Sequence, residues 1–162
     1  EHGRRLAEPL FLRDDVAMAL RLTRGHGYDT WFDVAEGIRA RFHDAGHIMG
    51  SAVVEVEIAE AGVRRTLVFT GDLGQYDSPI LRDPVTPPRA DLVLMETTYG
   101  DRNHRDRAAS LEEFGDVIRR ARRERGNVLI PAFAVGRSQE ILYQLGKHFD
   151  AWELGHWRVF LD

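Results

Sequence analysis

Apolar and charged residues alternate from Ala52 to Ala59, where Val54, Val56 and Ile58 are separated by Glu55 and Glu57. A period of two predicts a half-buried strand with one wet face. The stretch Arg64–Thr70, with Leu67, Val68 and Phe69, predicts its antiparallel partner across a turn at Glu60–Val63. Ile38–His43 predicts a strand before this hairpin. Further upstream, Val16, Ala17, Leu20 and Leu22, bounded by Asp14 and Gly25, have the spacing of a short surface helix that follows a loop.

The pattern then breaks. Pro79, Pro84, Pro87 and Pro88 between Gln75 and Arg89 predict a long ordered loop without regular structure. The next strand, Asp91–Thr97, runs into Glu96-Thr97-Thr98-Tyr99-Gly100. A polar linker, Asn103–Arg107, precedes a helix that Ser110 and Glu113 would open as a capping box, with Leu111, Phe114, Val117, Ile118 and Ala121 on one face. A short apolar strand at Val128–Pro131 follows. A second helix then carries Ile141, Leu142, Leu145 and Phe149 inward, and a last strand begins at Val159–Leu161. Helices alternating with continuous apolar strands predict a parallel α/β unit, so we place a domain boundary near Arg107, separating residues 1–107 from 108–162.

Composition narrows the class without choosing a function. Apolar residues make up 43% and charged residues 30% of the 162-residue chain, values of an ordinary globular protein with one sizeable core. The formal net charge of −4 makes no global case for nucleic acid, so a polyanion would need a local patch or bound cations. Cysteine is absent, which excludes disulfides and thiolate metal sites and fits a reducing, cytoplasmic setting. No apolar run is long enough to span a bilayer, so no membrane partner is expected. The opening residue is Glu1 rather than Met, which reads as an internal piece of a longer protein.

His47, in FHDAGHIMGS, and Asp72, in FTGDLG, are both expected where a strand ends, and both are metal-ligating residue types. The intervening hairpin has the form that would bring them together. Each has a plainer reading: a loop histidine is commonly a hydrogen-bonded structural residue, and an aspartate between glycines commonly stabilises its own turn. Two donors also fall short of the three that a catalytic zinc site usually takes from protein. The segment Gly136-Arg137-Ser138-Gln139 opens the second helix, where exposed amides, a hydroxyl and a guanidinium suit a phosphate as well as simple capping by Ser138. Tyr99 and Phe133 suit either base stacking or packing at a strand end. The arginines 119, 120, 122, 123 and 125 read as a solvated helix end.

The ordered runs FHDAGHIMGSA, FTGDLGQYDSPILRDP, LVLMETTYGDR and IPAFAVGRSQEIL resemble successive motifs of the β-CASP branch of the metallo-β-lactamase superfamily. Within it, the RNA-processing nucleases related to the endonuclease subunit of the cleavage and polyadenylation factor are the most similar. The resemblance covers most of Ile38–Asp162. It implies part of a metallo-β-lactamase αββα sandwich followed by the start of a parallel-sheet β-CASP domain. It also implies that His47 ligates one zinc, that Asp72 bridges two, and that Glu96 orients a histidine supplied by a later segment. The family's His-x-His-x-Asp-His cluster and its later β-CASP histidines have no counterpart here. His2, His26, His104, His148 and His156 lack the family's flanks and read as surface or structural residues, and His43 at most supports a ligand.

These readings add up to a zinc-dependent ribonuclease as the parent protein, with this piece inactive alone. RNA would be the partner, contacted by Gly136, Arg137, Ser138 and Tyr99, and the class allows a homodimer. Two alternatives stand beside this: a non-catalytic scaffold of the same fold, and a related DNA nuclease.

Overall fold

The computed structural model describes residues 9–87 and 89–161. Helix α1 (Arg13–Leu22) precedes five strands, β1 (Phe32–Ala35), β2 (Ile38–Asp44), β3 (Ala52–Glu60), β4 (Val63–Phe69) and β5 (Leu92–Leu94). They lie in chain order in one sheet. The first three pairings are antiparallel and β4–β5 is parallel. Helices α2 (Arg107–Arg123) and α3 (Arg137–Lys147) and a 3-10 turn at Leu154–His156 complete the order.

Strand order decides where the loops go. Asp44 pairs with Ala52, Val54 with Phe69, and Phe69 with Leu94, so the ends of β2, β4 and β5 share one edge of the sheet. At the opposite edge, β3 and β4 are joined through Ala61 and Gly62, with φ of 49° and 79°. Two successive left-handed residues make the tight hairpin turn whose twist matches the flanking strands. The sequence reading anticipated this hairpin.

The two faces of the sheet reverse the expectation of one wet side. Glu55 and Glu57, expected in solvent, lie opposite Arg41 and Arg39 of β2. Glu55 is buried at 4% exposure, whereas Val54, Val56 and Ile58 are only half-buried. The reason is charge pairing across strands: Glu55 accepts from Arg41 Nη2 at 2.7 Å and meets His43 Nε2 at 2.7 Å. The other His43 nitrogen, Nδ1, lies 2.8 Å from Asp29. Burial pushes the Glu55 carboxyl up, but His43 and Arg41 outweigh it and hold it below its ordinary value. The two buried groups here, Glu55 and His43, satisfy one another and their neighbours, so alternation alone misreads which face is wet.

Ala45, Val53 and Val68 form one buried cluster, with Leu73 and Ala90 against it. Ile118, Trp152 and Leu154 form a second, with Leu111, Phe114, Leu145 and Trp157 around it. Helix α1 buries none of its residues, as a surface helix should.

Several expectations need correction. Helix α2 begins earlier than the Ser110–Glu113 box: Asp106 caps it, accepting from Ala109 N at 2.8 Å, while Ser110 donates to the Asp106 carbonyl inside the first turn. Strand β5 is shorter than Asp91–Thr97. Strand β1 was not anticipated, because its four residues are too few to show a period. The segments 128–131 and 159–161 are not strands: they lie outside every ladder, and Leu129 and Phe160 are exposed at 94% and 85%. A strand needs a hydrogen-bonded neighbour, and among the described residues neither segment has one. The expected parallel sheet of the second unit is therefore not formed here.

Candidate metal centre

The loop after β2 is braced before it reaches His47. Gly46 N donates to Asp44 Oδ1 at 2.9 Å, and Ala45 N donates to the Ser51 carbonyl at 3.2 Å. Ser51 Oγ accepts from both His47 N and Ile48 N, at 3.1 and 3.3 Å. The Tyr28 hydroxyl donates to the Ser51 carbonyl at 2.9 Å. Gly46 takes φ +64°, and a Cβ there would lie 2.7 Å from the Arg82 carbonyl oxygen, so glycine is required on both counts.

The loop after β4 meets this one through backbone. Gly74 N donates to the Ala45 carbonyl at 2.8 Å, and a Cβ on Gly74 would overlap the Gly46 carbonyl. Two chains in such contact carry their neighbours together. His47 Nε2 lies 3.9 Å from Asp72 Oδ2, with the side chains 44% and 76% exposed. Both groups remain open to a ligand.

Glu96, just past β5, holds the Asp72 loop. Its Oε1 accepts from Leu73 N at 3.0 Å and its Oε2 from Thr98 N at 3.1 Å. Its own amide donates to Thr70 Oγ1 at 3.1 Å. Hydrogen bonding by Thr98, then by the Leu73 amide, holds its carboxyl below the ordinary carboxylate value, and the nearby His47 acts in the same direction. An anion at neutral pH, Glu96 fixes the backbone beside Asp72.

The N-terminus of α3 touches the same region. Gly136, at φ +87°, approaches Ile48 so closely that a Cβ would lie 3.0 Å from Ile48 Cγ2. Ser138 does not cap the helix: its hydroxyl donates to the Phe133 carbonyl at 2.7 Å, and Gln139 Oε1 instead accepts from Gly136 N at 2.7 Å. Arg137 pairs with Glu140 at 2.7 Å and stays 63% exposed. Tyr99 is half-exposed and lies against His104.

Other candidates fall away from the centre. His43 is buried between Asp29 and Glu55, and His26 and His148 stack on Phe32 and Trp152. Arg119 and Arg122 pair with Asp116 and Glu153, as a solvated helix end should. His2 lies outside the described residues. The braces Ser51, Thr70 and Gly74 went unnoticed in the sequence. The serine's place four residues after His47 is the one signal that pointed to them.

The donor chemistry fits zinc in part. Imidazole nitrogen and carboxylate oxygen are both zinc ligands, and bonds of about 2.0–2.2 Å would put two tetrahedral donors about 3.4 Å apart. The observed 3.9 Å needs only a small side-chain movement to reach that. Among the described residues, however, no group of three or more His, Cys, Asp or Glu converges on one point.

A ribonuclease of Thermus thermophilus, TTHA0252, is 45% identical over 141 residues, covering 87% of this chain and 32% of its own length. The chain belongs to the β-CASP branch of the metallo-β-lactamase superfamily. The transcription termination factor FttA of Methanosarcina mazei is 36% identical over 151 residues, which are 91% of this chain and 23% of the factor. The endoribonuclease YSH1 of Eremothecium gossypii is 31% identical over 155 residues, 94% of this chain and 20% of its length. This β-CASP chain thus spans a third or less of each relative. It matches no family model. Among the described residues, no helix is long and apolar enough to cross a membrane.

Proposed function

We propose that the protein containing this chain is a zinc-dependent ribonuclease, with His47 as a ligand to one metal and Asp72 as the carboxylate bridging two. The approach of His47 Nε2 to within 3.9 Å of Asp72 Oδ2, from loops 25 residues apart, carries this reading. The ribonuclease names of similar proteins support it. The remaining ligands come from segments outside the described residues.

Paired zinc ions, when bound, supply a hydroxide near neutral pH and stabilise charge at phosphorus during in-line attack. The residues of this chain do the rest. His47 and Asp72 hold their positions because Ser51, Gly46 and Gly74 leave their loops little freedom. Glu96 fixes Asp72 through Leu73 and, in this reading, also orients a histidine from a later segment. Gly136, Arg137 and Ser138 lie at the N-terminus of α3, where amides and a guanidinium suit the RNA phosphate. Residues 1–107 form part of the αββα sandwich and residues 108–162 open the β-CASP domain. The half-covered aliphatic face of the sheet suits contact with a second sheet.

The test uses the full-length protein, its zinc content measured by elemental analysis, with labelled RNA and the matched DNA strand as substrates. Two zinc ions per chain and RNA cleavage lost in Asp72→Asn and His47→Ala are expected. An unaltered protein free of nuclease activity with zinc supplied would refute the reading.

One observation favours a second reading, a scaffold that keeps the fold without catalysis: only two donors converge among the described residues. The sequence ahead of Glu1 in the parent gene decides between them. A His-x-His-x-Asp-His cluster there supports the enzyme.

A further inference from the structure

Three side chains following Glu96 form a cluster that the metal chemistry does not use. The Tyr99 ring is 49% exposed. The His104 ring lies 3.7 Å from it, centroid to centroid, inclined by 33°. The Arg102 guanidinium carbon stands 5.2 Å from the same ring centre. None of the three belongs to either buried cluster. Among the described residues Arg102 pairs with Asp101 at 3.9 Å, with both side chains mostly in water, so its charge is hardly engaged.

Burial does not explain this arrangement, because the rings stack at the surface. The turn beneath them is held in place: Thr98 N donates to Glu96 Oε2, and Gly100 N donates to the Thr97 carbonyl at 3.0 Å. Through Glu96 and Leu73, the same carboxylate ties this turn to the Asp72 loop. Thr98, the residue before Tyr99, thus shares its anchor with the Asp72 loop. Exposed aromatic faces beside a guanidinium are what an unpaired nucleobase and its phosphate need, and such stacking tolerates every base because every base has a π-face.

We propose that Tyr99, His104 and Arg102 form a base-stacking subsite for single-stranded RNA, which seats a nucleotide beside the phosphodiester at His47 and Asp72. The proposal rests on the ribonuclease reading and adds to it a preference for unpaired RNA, because the bases of a duplex cannot reach such a platform.

The test measures the anisotropy of a short labelled single-stranded RNA on the full-length protein carrying Asp72→Asn, which prevents cleavage. Tyr99→Ala should weaken binding by about 5- to 150-fold, the range spanned by loss of one base–aromatic stack. Tyr99→Phe should keep the affinity, and a duplex of the same sequence should bind equally to all forms. An abasic nucleotide at the stacked position should weaken the protein with Tyr99 intact and add nothing to Tyr99→Ala. His104→Ala and Arg102→Ala alter exposed side chains, so they decide the matter if Tyr99→Ala misfolds. Single-stranded RNA bound equally by these variants and by the protein with the cluster intact would overturn the subsite and leave the ribonuclease reading standing. A full-length protein that neither binds nor cleaves RNA would end both.

Discussion

The Gly74 amide donates to the Ala45 carbonyl at 2.8 Å, and this single backbone bond joins the loop carrying Asp72 to the loop carrying His47. The sheet brings both loops to one edge, but a shared edge leaves several ångströms of latitude. Contact between the glycine backbones removes it.

Gly74→Ala should therefore separate the two loops. A methyl group has no room against the Gly46 carbonyl, and we expect a loss of about 3 kcal/mol, the upper part of the range for overpacking. Urea unfolding measures it. Gly25→Ala, with nothing within 4 Å of its Cβ, should be nearly silent and serves as the control.

Glu96→Ala should free the amides of Leu73 and Thr98 without unfolding the sheet. Each amide loses its carboxylate acceptor. Amide hydrogen exchange should quicken at Leu73 and Thr98 and stay unchanged at Val53 and Val68. Equal exchange at Leu73 in both proteins would show that the brace is not rigid.

Glu55 should give the fold an acid-sensitive component. Its folded carboxyl titrates below its ordinary value of 4.5, so its stabilisation is complete above that pH and is lost as pH falls through the folded value. Glu55→Gln should flatten this part of the pH–stability curve. It should also cost about 3 kcal/mol near neutrality, at the low end for breaking a buried pair, because Arg41 and Asp29 reach solvent. Denaturant midpoints across acid pH test both effects.

With two donors converging among the described residues, the 162-residue chain by itself should bind zinc weakly and should not cleave RNA. Calorimetric titration with zinc measures the first and labelled RNA the second. Tight binding removed by His47→Ala would mean that a further ligand lies closer than the geometry allows.

Much of this was legible in the sequence, for local reasons. The hairpin was readable because its period of two and its turn residues agree, and His47, Asp72 and Glu96 stood out because each follows a strand and precedes a glycine. Pairing partners were not readable. The burial of Glu55 depends on Arg41 and His43 lying on the same face of the neighbouring strand, and that register is a property of two segments together. The capping box failed for a related reason: Asp106 satisfies the helix amides four residues ahead of Ser110. The apolar runs at 128–131 and 159–161 have strand-forming residues but no neighbour among the described residues to pair with.

The aliphatic side of the sheet has a practical consequence. Leu92 and Leu94 are 52% and 46% exposed, and they continue the rows of Val56, Leu67, Val54 and Phe69. So broad an oily surface makes the isolated polypeptide adhesive toward itself. Purified alone, it should scatter light in proportion to its concentration, and charged replacements along those rows should clarify the solution.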